Sequence, residues 1–344
     1  MDLTSPFRSD RGIDSDRFAI KLRETLVDLE RKAVLLARLD GSLEAKDRYT
    51  KANARGLGRI RVFKNYEMHL SHVRLSNGRP MPLLRGHPPA SELRSQVFQL
   101  AGCNWRCWYC YVDDALLNGL VARGEYLTAS ALVDLYLEVP NRPAVIDLSG
   151  GQPDLAPEWA LWVLQEIDRR GLRGSVFVWE DDNLSSELMW TLLSAEQISF
   201  MAKFEGHSRV GCFKGFDSQS FSYNISAPSE LFERQFTVFR RLLECGFDVY
   251  AYATFTCPSG HCSAGRMSEF VDRLQDIHPL LPLRTIPLRI RPFSATQARM
   301  RPGQESSFDE QQRAGEFWDE ELKNRFSSQQ LLLPYEAIEL RATR

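Results

Sequence analysis

Past residue 94 the chain alternates short apolar runs with stretches whose apolar residues recur every three or four positions. The runs at 97–100, 145–148, 175–179, 198–204, 249–255 and 286–290 predict strands. The periodic stretches at 128–138, 157–170, 184–194, 229–245 and 266–277 predict amphipathic helices between them. Six strands alternating with five helices predict a parallel βα architecture of the α/β class. A doubly wound sheet and a partial barrel both accommodate that rhythm, and in either the chemistry belongs at the C-terminal ends of the strands.

Upstream the pattern changes. Phe18, Leu22, Leu26, Leu29, Ala33, Leu36 and Leu39 recur at helical spacing against a charged face, which predicts one amphipathic helix over 15–48. Residues 49–92 are rich in Gly, Pro, Arg and His. His69, His72 and His87 stand there without a cysteine or carboxylate at ligand spacing and read as polar loop histidines. The chain therefore divides into a mainly helical N-terminal extension (1–94), a core (95–293) and a C-terminal extension (294–344) with a helix and a tail docking on the core.

Composition narrows the class. With 344 residues, 43% of them hydrophobic, the chain has material for one large α/β core plus extensions. A formal charge of −2 gives no overall pull toward nucleic acid or a membrane surface. The first residues lack the apolar core of a signal peptide, and no run of about eighteen apolar residues occurs, so a cytoplasmic enzyme is expected. Seven cysteines, an odd number, suit a reducing compartment in which thiolates stay available for metal.

Three of them stand as Cys103-x3-Cys107-x2-Cys110, directly after the first predicted strand. Three thiolates hold only three irons of a four-iron cubane and leave the fourth open to a ligand. A structural zinc site would want four ligands in two pairs, and no fourth lies nearby in sequence. With Tyr109 just before the last cysteine, the run resembles the signature of the radical S-adenosylmethionine (SAM) superfamily. That resemblance implies a partial (β/α)6 barrel, a [4Fe-4S] cluster on Cys103, Cys107 and Cys110, and SAM chelating the open iron. It further implies reductive cleavage of SAM to a 5'-deoxyadenosyl radical, which takes a hydrogen atom from a small-molecule or peptide substrate. An electron donor such as flavodoxin or ferredoxin is implied as partner, and the backbone around Tyr109 is expected near the adenine.

The following strand ends carry further expectations. Ser149-Gly150-Gly151-Gln152-Pro153 resembles the family's Gly-Gly-Glu-Pro motif, which implies contact with the SAM methionine, with Gln152 in place of the family's glutamate. In Trp179-Glu180-Asp181-Asp182-Asn183, the carboxylates of Glu180 and Asp182 are candidates for the ribose hydroxyls. Asn183 is either a site residue or the N-cap of a helix opening at Leu184. Lys203 or Glu205 is expected at the rim of the fourth strand. Arg284, Arg289 and Arg291 are assigned to the sixth, with Arg291 a candidate for a carboxylate or phosphate. Arg299 and Arg301 follow. Gly211 to Phe221 and the Cys245-Gly246-Phe247-Asp248-Val249 entry resemble the glycyl-radical-enzyme-activase branch, which implies a partner enzyme as an alternative substrate. The 94-residue extension departs from those compact activases. A tRNA-modifying enzyme is a further alternative, and nucleic-acid binding is not favoured because the arginines lack interleaved aromatics. Cys212, Cys245, Cys257 and Cys262 read either as a second cluster or as separate buried thiols.

Overall fold

The structure, a computed structural model, describes residues 5–9, 12–47, 50–62, 94–333 and 337–340. His69, His72 and His87 lie outside the described residues.

Six parallel strands run through the core: Arg94–Gln99, Val145–Ser149, Phe177–Asp182, His207–Phe213, Val249–Thr254 and Thr285–Leu288. Each pairs with the next in sequence, through Val97 opposite Asp147, Glu180 opposite Leu148 and Arg209, and Ala251 opposite Thr285. The order never reverses, so the strands have no switch point of the doubly wound kind. Right-handed crossovers then bring the intervening helices to one face of the sheet. Those helices start where the chemistry of capping demands: Thr128, Asp217 and Ser263 each accept a backbone N–H of the first turn.

Two expectations are corrected. The predicted strand 198–204 is the helix Ala195–Lys203, opened by a capping box between Ser194 and Gln197. The fourth strand is His207–Phe213, so its C-terminal rim is at Lys214, and Lys203 lies exposed at the opposite end, beyond reach of the rim. The predicted helix over 15–48 stops at Leu26, because Val27 turns extended (φ −126°). Downstream, Ala33–Ala37 is a fully buried strand that pairs antiparallel with Gly124–Thr128. A continuous run such as Ala33-Val34-Leu35-Leu36-Ala37 buries both faces of a strand, and three-to-four spacing alone does not separate that from a helix.

Among its described residues the extension is therefore not mainly helical. Its strands Ala52–Asn53 and Gly58–Val62 form a hairpin, and the second adds antiparallel to the first core strand. Arg59 faces Val97 and Arg61 faces Ser95, so the hairpin widens the same sheet. At the far side Asp47 accepts hydrogen bonds from the Ser294 backbone N–H (3.2 Å) and hydroxyl (2.9 Å), tying the extension to the helix Ser294–Arg299.

Alternation along each strand divides the side chains between two faces. The helix-covered face packs Phe213 against Phe236, Phe239 and Phe270 of the helices Phe232–Glu244 and Ala264–Ile277. On the other face Trp179 of the third strand stacks on Tyr250 of the fifth at 5.4 Å between rings, across the strand between them. The C-terminal helix Ser307–Arg325 closes the outside by packing Trp318 on Phe255 and Phe270. Among the described residues no helix is long and apolar enough to cross a membrane.

Phe270 sits where the fourth strand, two helices and Trp318 meet. Phe270→Ala should lower stability by about 3–5 kcal/mol, read as a shift of the urea midpoint with an unchanged slope.

Candidate functional site

The cysteine loop begins one turn past the first core strand and is clamped from several elements at once. The backbone N–H of Ala101 donates to Leu35 O (3.0 Å) and that of Cys103 to Leu117 O (3.1 Å). Trp105, 1% exposed, packs edge-on against Phe221 and donates its indole N–H to Ser15 Oγ at 3.1 Å. Trp108 donates to Asn224 Oδ1 at 3.1 Å, and Tyr109 shares a hydrogen bond with Thr254 of the fifth strand at 3.1 Å. Arg299 donates to the Cys110 and Val112 carbonyls. The loop is thus held by the extension, the fifth strand and the segment after the sixth strand before any metal binds.

Against this loop lies the turn after the second strand. The Gln152 N–H donates to Gly102 O at 2.7 Å. Gly150 (φ +69°) and Gly151 (φ +63°) both adopt left-handed backbone. A Cβ on Gly151 would fall 2.4 Å from the carbonyl oxygens of both Leu100 and Gly102. Only glycine allows that approach. The Gly-Gly pair therefore serves first to seat the second-strand turn on the cysteine loop.

Gln152 is fully buried and turns away from the cysteines. Its amide Nε2 donates to Asp182 Oδ1 (2.8 Å) and its Oε1 accepts from the Asn183 N–H (2.8 Å). Asp182 belongs to a charge network on the helix-covered face. There Arg209 meets Asp154 at 2.7 Å, Glu180 at 3.2 Å and Asp182 at 3.3 Å, all four side chains wholly buried. Burial pushes Asp154 well above the usual carboxylate range, with repulsion from Asp182 and Glu180 adding to it against the pull of Arg209. Burial also pushes Glu180 up, but Arg209 and His207 outweigh it and hold that carboxyl below its ordinary value. Glutamine suits this position because its amide donates to Asp182, where a carboxylate would add a fourth buried acid.

The three acids at the end of the third strand divide between its two faces. Glu180 and Asp182 point into the helix-covered layer and pair with Arg209, whereas Asp181 alternates onto the opposite face. Asp181 accepts from Ser149 Oγ (2.5 Å) and Trp179 Nε1 (3.0 Å). Close by, Asp147 pairs with Arg61 at 3.2 Å and accepts from Ser95 Oγ at 3.1 Å. Burial and then repulsion from Asp181 raise its carboxyl to about 6. Lys214, next to Cys212 at the rim of the fourth strand, is held well above its ordinary value: burial works against its charge, and the Cys212, Tyr109, Cys107 and Cys103 side chains overcome it. Asp181, Lys214, Asp147 and Arg61 were not singled out in the sequence, since their faces depend on strand register.

The remaining candidates distribute as follows. Asn183 reaches the loop, donating to Cys103 Sγ at 3.5 Å, while its Oδ1 accepts from the Ser185 N–H at 3.0 Å. It does not cap a helix at Leu184, because the next helix is Leu188–Leu192. The sixth strand ends at Leu288, so Arg289 and the half-buried Arg291 lie beyond it. Arg284 precedes that strand and pairs with the buried Asp248.

The donor set fits a cluster better than a single ion. The three loop thiols are free; burial, foremost, pushes Cys107 up to about 12, so a metal's charge is needed to hold it as thiolate. Tetrahedral zinc brings sulfurs to about 3.8 Å of one another, given Zn–S near 2.3 Å. Among the described residues, the group of potential ligand atoms lying within 4.8 Å of one another is Cys257, Cys262 and Glu310, not the loop trio. A wider spacing with one position open to an external ligand is what a multi-iron group requires. Cys212 and Cys245 do not join Cys257 and Cys262: one faces Lys214, the other accepts from Trp190 Nε1 at 3.3 Å.

No family model matches the chain, and no curated protein matches it. Parts of solved structures overlap with it. SuiB of Streptococcus suis bound to precursor peptide SuiA is 14% identical over 53% of this chain and 36% of that one, with a TM-score of 0.37. SuiB bound to S-adenosylmethionine is 15% identical over 53% and 37%, with a TM-score of 0.38. Native anSMEcpe with bound AdoMet is 13% identical over 65% and 60%, with a TM-score of 0.37. The chain thus spans about a third of the SuiB length and 60% of that of anSMEcpe. At these scores nothing is transferred from those proteins to this one.

Gly151→Ala should cost about 1–3 kcal/mol through its left-handed φ, and more through the clash with the loop; a lowered thermal midpoint measures it. Gln152→Glu places a carboxylate against Asp182 and should cost about 1–3 kcal/mol near neutral pH. Burial and Asp182 would raise that carboxyl in the folded state. The deficit is therefore smallest below the unfolded value of about 4.3 and grows as pH rises, which denaturant unfolding at several pH values will show.

Proposed function

We propose that the chain is a radical SAM enzyme whose six parallel strands form a partial barrel. Cys103, Cys107 and Cys110 are proposed to hold a [4Fe-4S] cluster, with SAM bound beside the Gly150–Gly151 turn. The observation that carries the reading is the placement of three free thiols, at spacings three and two, at the C-terminal edge of the sheet and seated directly on that turn. Curvature into a barrel is supported by Trp179 stacking on Tyr250 and by Arg61 of the added hairpin lying within electrostatic reach of Tyr252, on the fifth strand.

When bound and reduced by a one-electron donor, the cluster and SAM would supply a 5'-deoxyadenosyl radical that removes a hydrogen atom from substrate. The chain's own part is to bind, orient and exclude water. Asn183 donates to Cys103 Sγ, and hydrogen bonds to sulfur tune a cluster's potential. Lys214 offsets thiolate charge from the rim of the fourth strand. Asp181 and Ser149, on the concave face, take the hydroxyl-binding role the sequence had given to Glu180 and Asp182.

The substrate is proposed to be a small molecule or a peptide held on the concave face. That face is polar where the extension meets the core: Arg59 stacks over Tyr111 at 5.1 Å, and Glu44 Oε1 accepts from Gln99 Nε2 at 2.8 Å. Arg59 Nε, Glu44 Oε2 and Gln99 Oε1 are buried there without a hydrogen-bond partner among the described residues. Buried polar atoms of that kind suit a polar ligand.

Anaerobic reconstitution should load about four irons per chain, and SAM with dithionite should then yield 5'-deoxyadenosine. The Cys103→Ala, Cys107→Ala, Cys110→Ala protein should lose both. Zinc retained in place of iron by the parent would overturn the assignment.

A further inference from the structure

The loop after the fifth strand carries a second ligand set. Cys257 and Cys262 flank the turn Pro258-Ser259-Gly260-His261, and Glu310 reaches them from the first turn of the C-terminal helix Ser307–Arg325. The two sulfurs and a Glu310 oxygen lie within 4.8 Å of one another. Cys257 is fully buried, Glu310 is 1% exposed and Cys262 is half-buried, so the set opens to solvent at Cys262 alone.

The contacts that orient these ligands are in place. Glu310 Oε1 accepts the Gly260 N–H at 2.8 Å and pairs with Arg313, which leaves Oε2 directed at Cys262 Sγ, 2.9 Å away. Ser307 Oγ donates to the Cys257 carbonyl at 3.0 Å and fixes the loop on the helix from the other side. Such outer contacts orient ligands in protein metal sites.

We infer that Cys257, Cys262 and Glu310 bind a single zinc ion that clamps the C-terminal helix to the loop after the fifth strand. Two thiols and a carboxylate are neither the three or four thiolates of most iron-sulfur clusters nor the two thiolates and two imidazoles of a Rieske centre, since His261 is held by Asp217 at 2.8 Å, while two sulfurs and one oxygen with a fourth position for water match zinc sites of three protein ligands. The charges agree as well. Two thiolates and a carboxylate exceed a divalent ion by one negative charge, and Arg313 neutralises it. Binding releases two thiol protons to solvent and changes no oxidation state.

The test is independent of SAM chemistry. Iron-loaded protein is incubated with excess zinc, desalted and analysed for metal. The expected result is one zinc per chain beyond the irons, and cobalt substitution should give an intense thiolate-to-cobalt charge-transfer band. The Cys257→Ser, Cys262→Ser protein should lose both the zinc and the band with its iron content unchanged. Glu310→Gln, which keeps an oxygen for the Gly260 N–H, should release zinc to a chelator more readily than the parent, and it carries the comparison if the double variant does not fold. No zinc on the parent beyond the irons, or equal zinc on parent and double variant, overturns the inference. Either result leaves the SAM reading to its own experiment.

Discussion

The contact on which the site depends is the seating of the second-strand turn on the cysteine loop. One hydrogen bond, from the Gln152 N–H to Gly102 O, and one missing Cβ, at Gly151, bring two strand ends into backbone contact. The loop satisfies only part of its backbone from within, as where the Cys110 N–H donates to Cys107 O, since it is neither helix nor strand. It borrows partners from Leu35 of the extension, Leu117, Asn224 and Arg299. The result is a loop whose geometry is imposed by its surroundings, as preorganised metal and binding sites require.

A second constraint is the division of charge between the faces of one sheet. On the helix-covered face Arg209 gathers Asp154, Glu180 and Asp182, and Gln152 joins that network to the loop. A buried cluster of this kind contributes less net stability than its contact distances suggest, because each ion is stripped of water. Breaking it is nonetheless costly, since a buried charge is then left unpaired. On the opposite face Asp147 pairs with Arg61, Asp181 accepts from Ser149, and Lys214 stands at the rim, while Asp147 Oδ1 is buried without a hydrogen-bond partner among the described residues.

The N-terminal extension belongs to both arrangements. Its hairpin supplies Arg59 and Arg61 to the face opposite the helices, its helix Ser15–Leu26 anchors Trp105 and pairs Arg23 with Glu158, and Asp47 ties it to the helix after the sixth strand. An added antiparallel strand also covers what would be an open sheet edge. Fold and site are thereby coupled: contacts that stabilise the extension also hold the loop.

Much of this was legible from residues alone. Local spacing determined the three thiols, the Gly-Gly turn, five of the six core strands and the alternation that implies a parallel sheet, because each is written within a few neighbouring positions. The fourth strand and the long N-terminal helix were misread, since apolar runs such as Ile198 to Phe204 and Ala33–Ala37 suit helix and strand equally until packing chooses. Which of Glu180, Asp181 and Asp182 faces the site was beyond sequence, for a shift of one residue in register exchanges the faces of a strand. The meeting of Cys257 and Cys262 with Glu310, some fifty residues away, was likewise decided by the docking of the C-terminal helix. Short-range chemistry is set by the order of residues, whereas the choice of face and of distant partner follows from how whole elements bury their surfaces together.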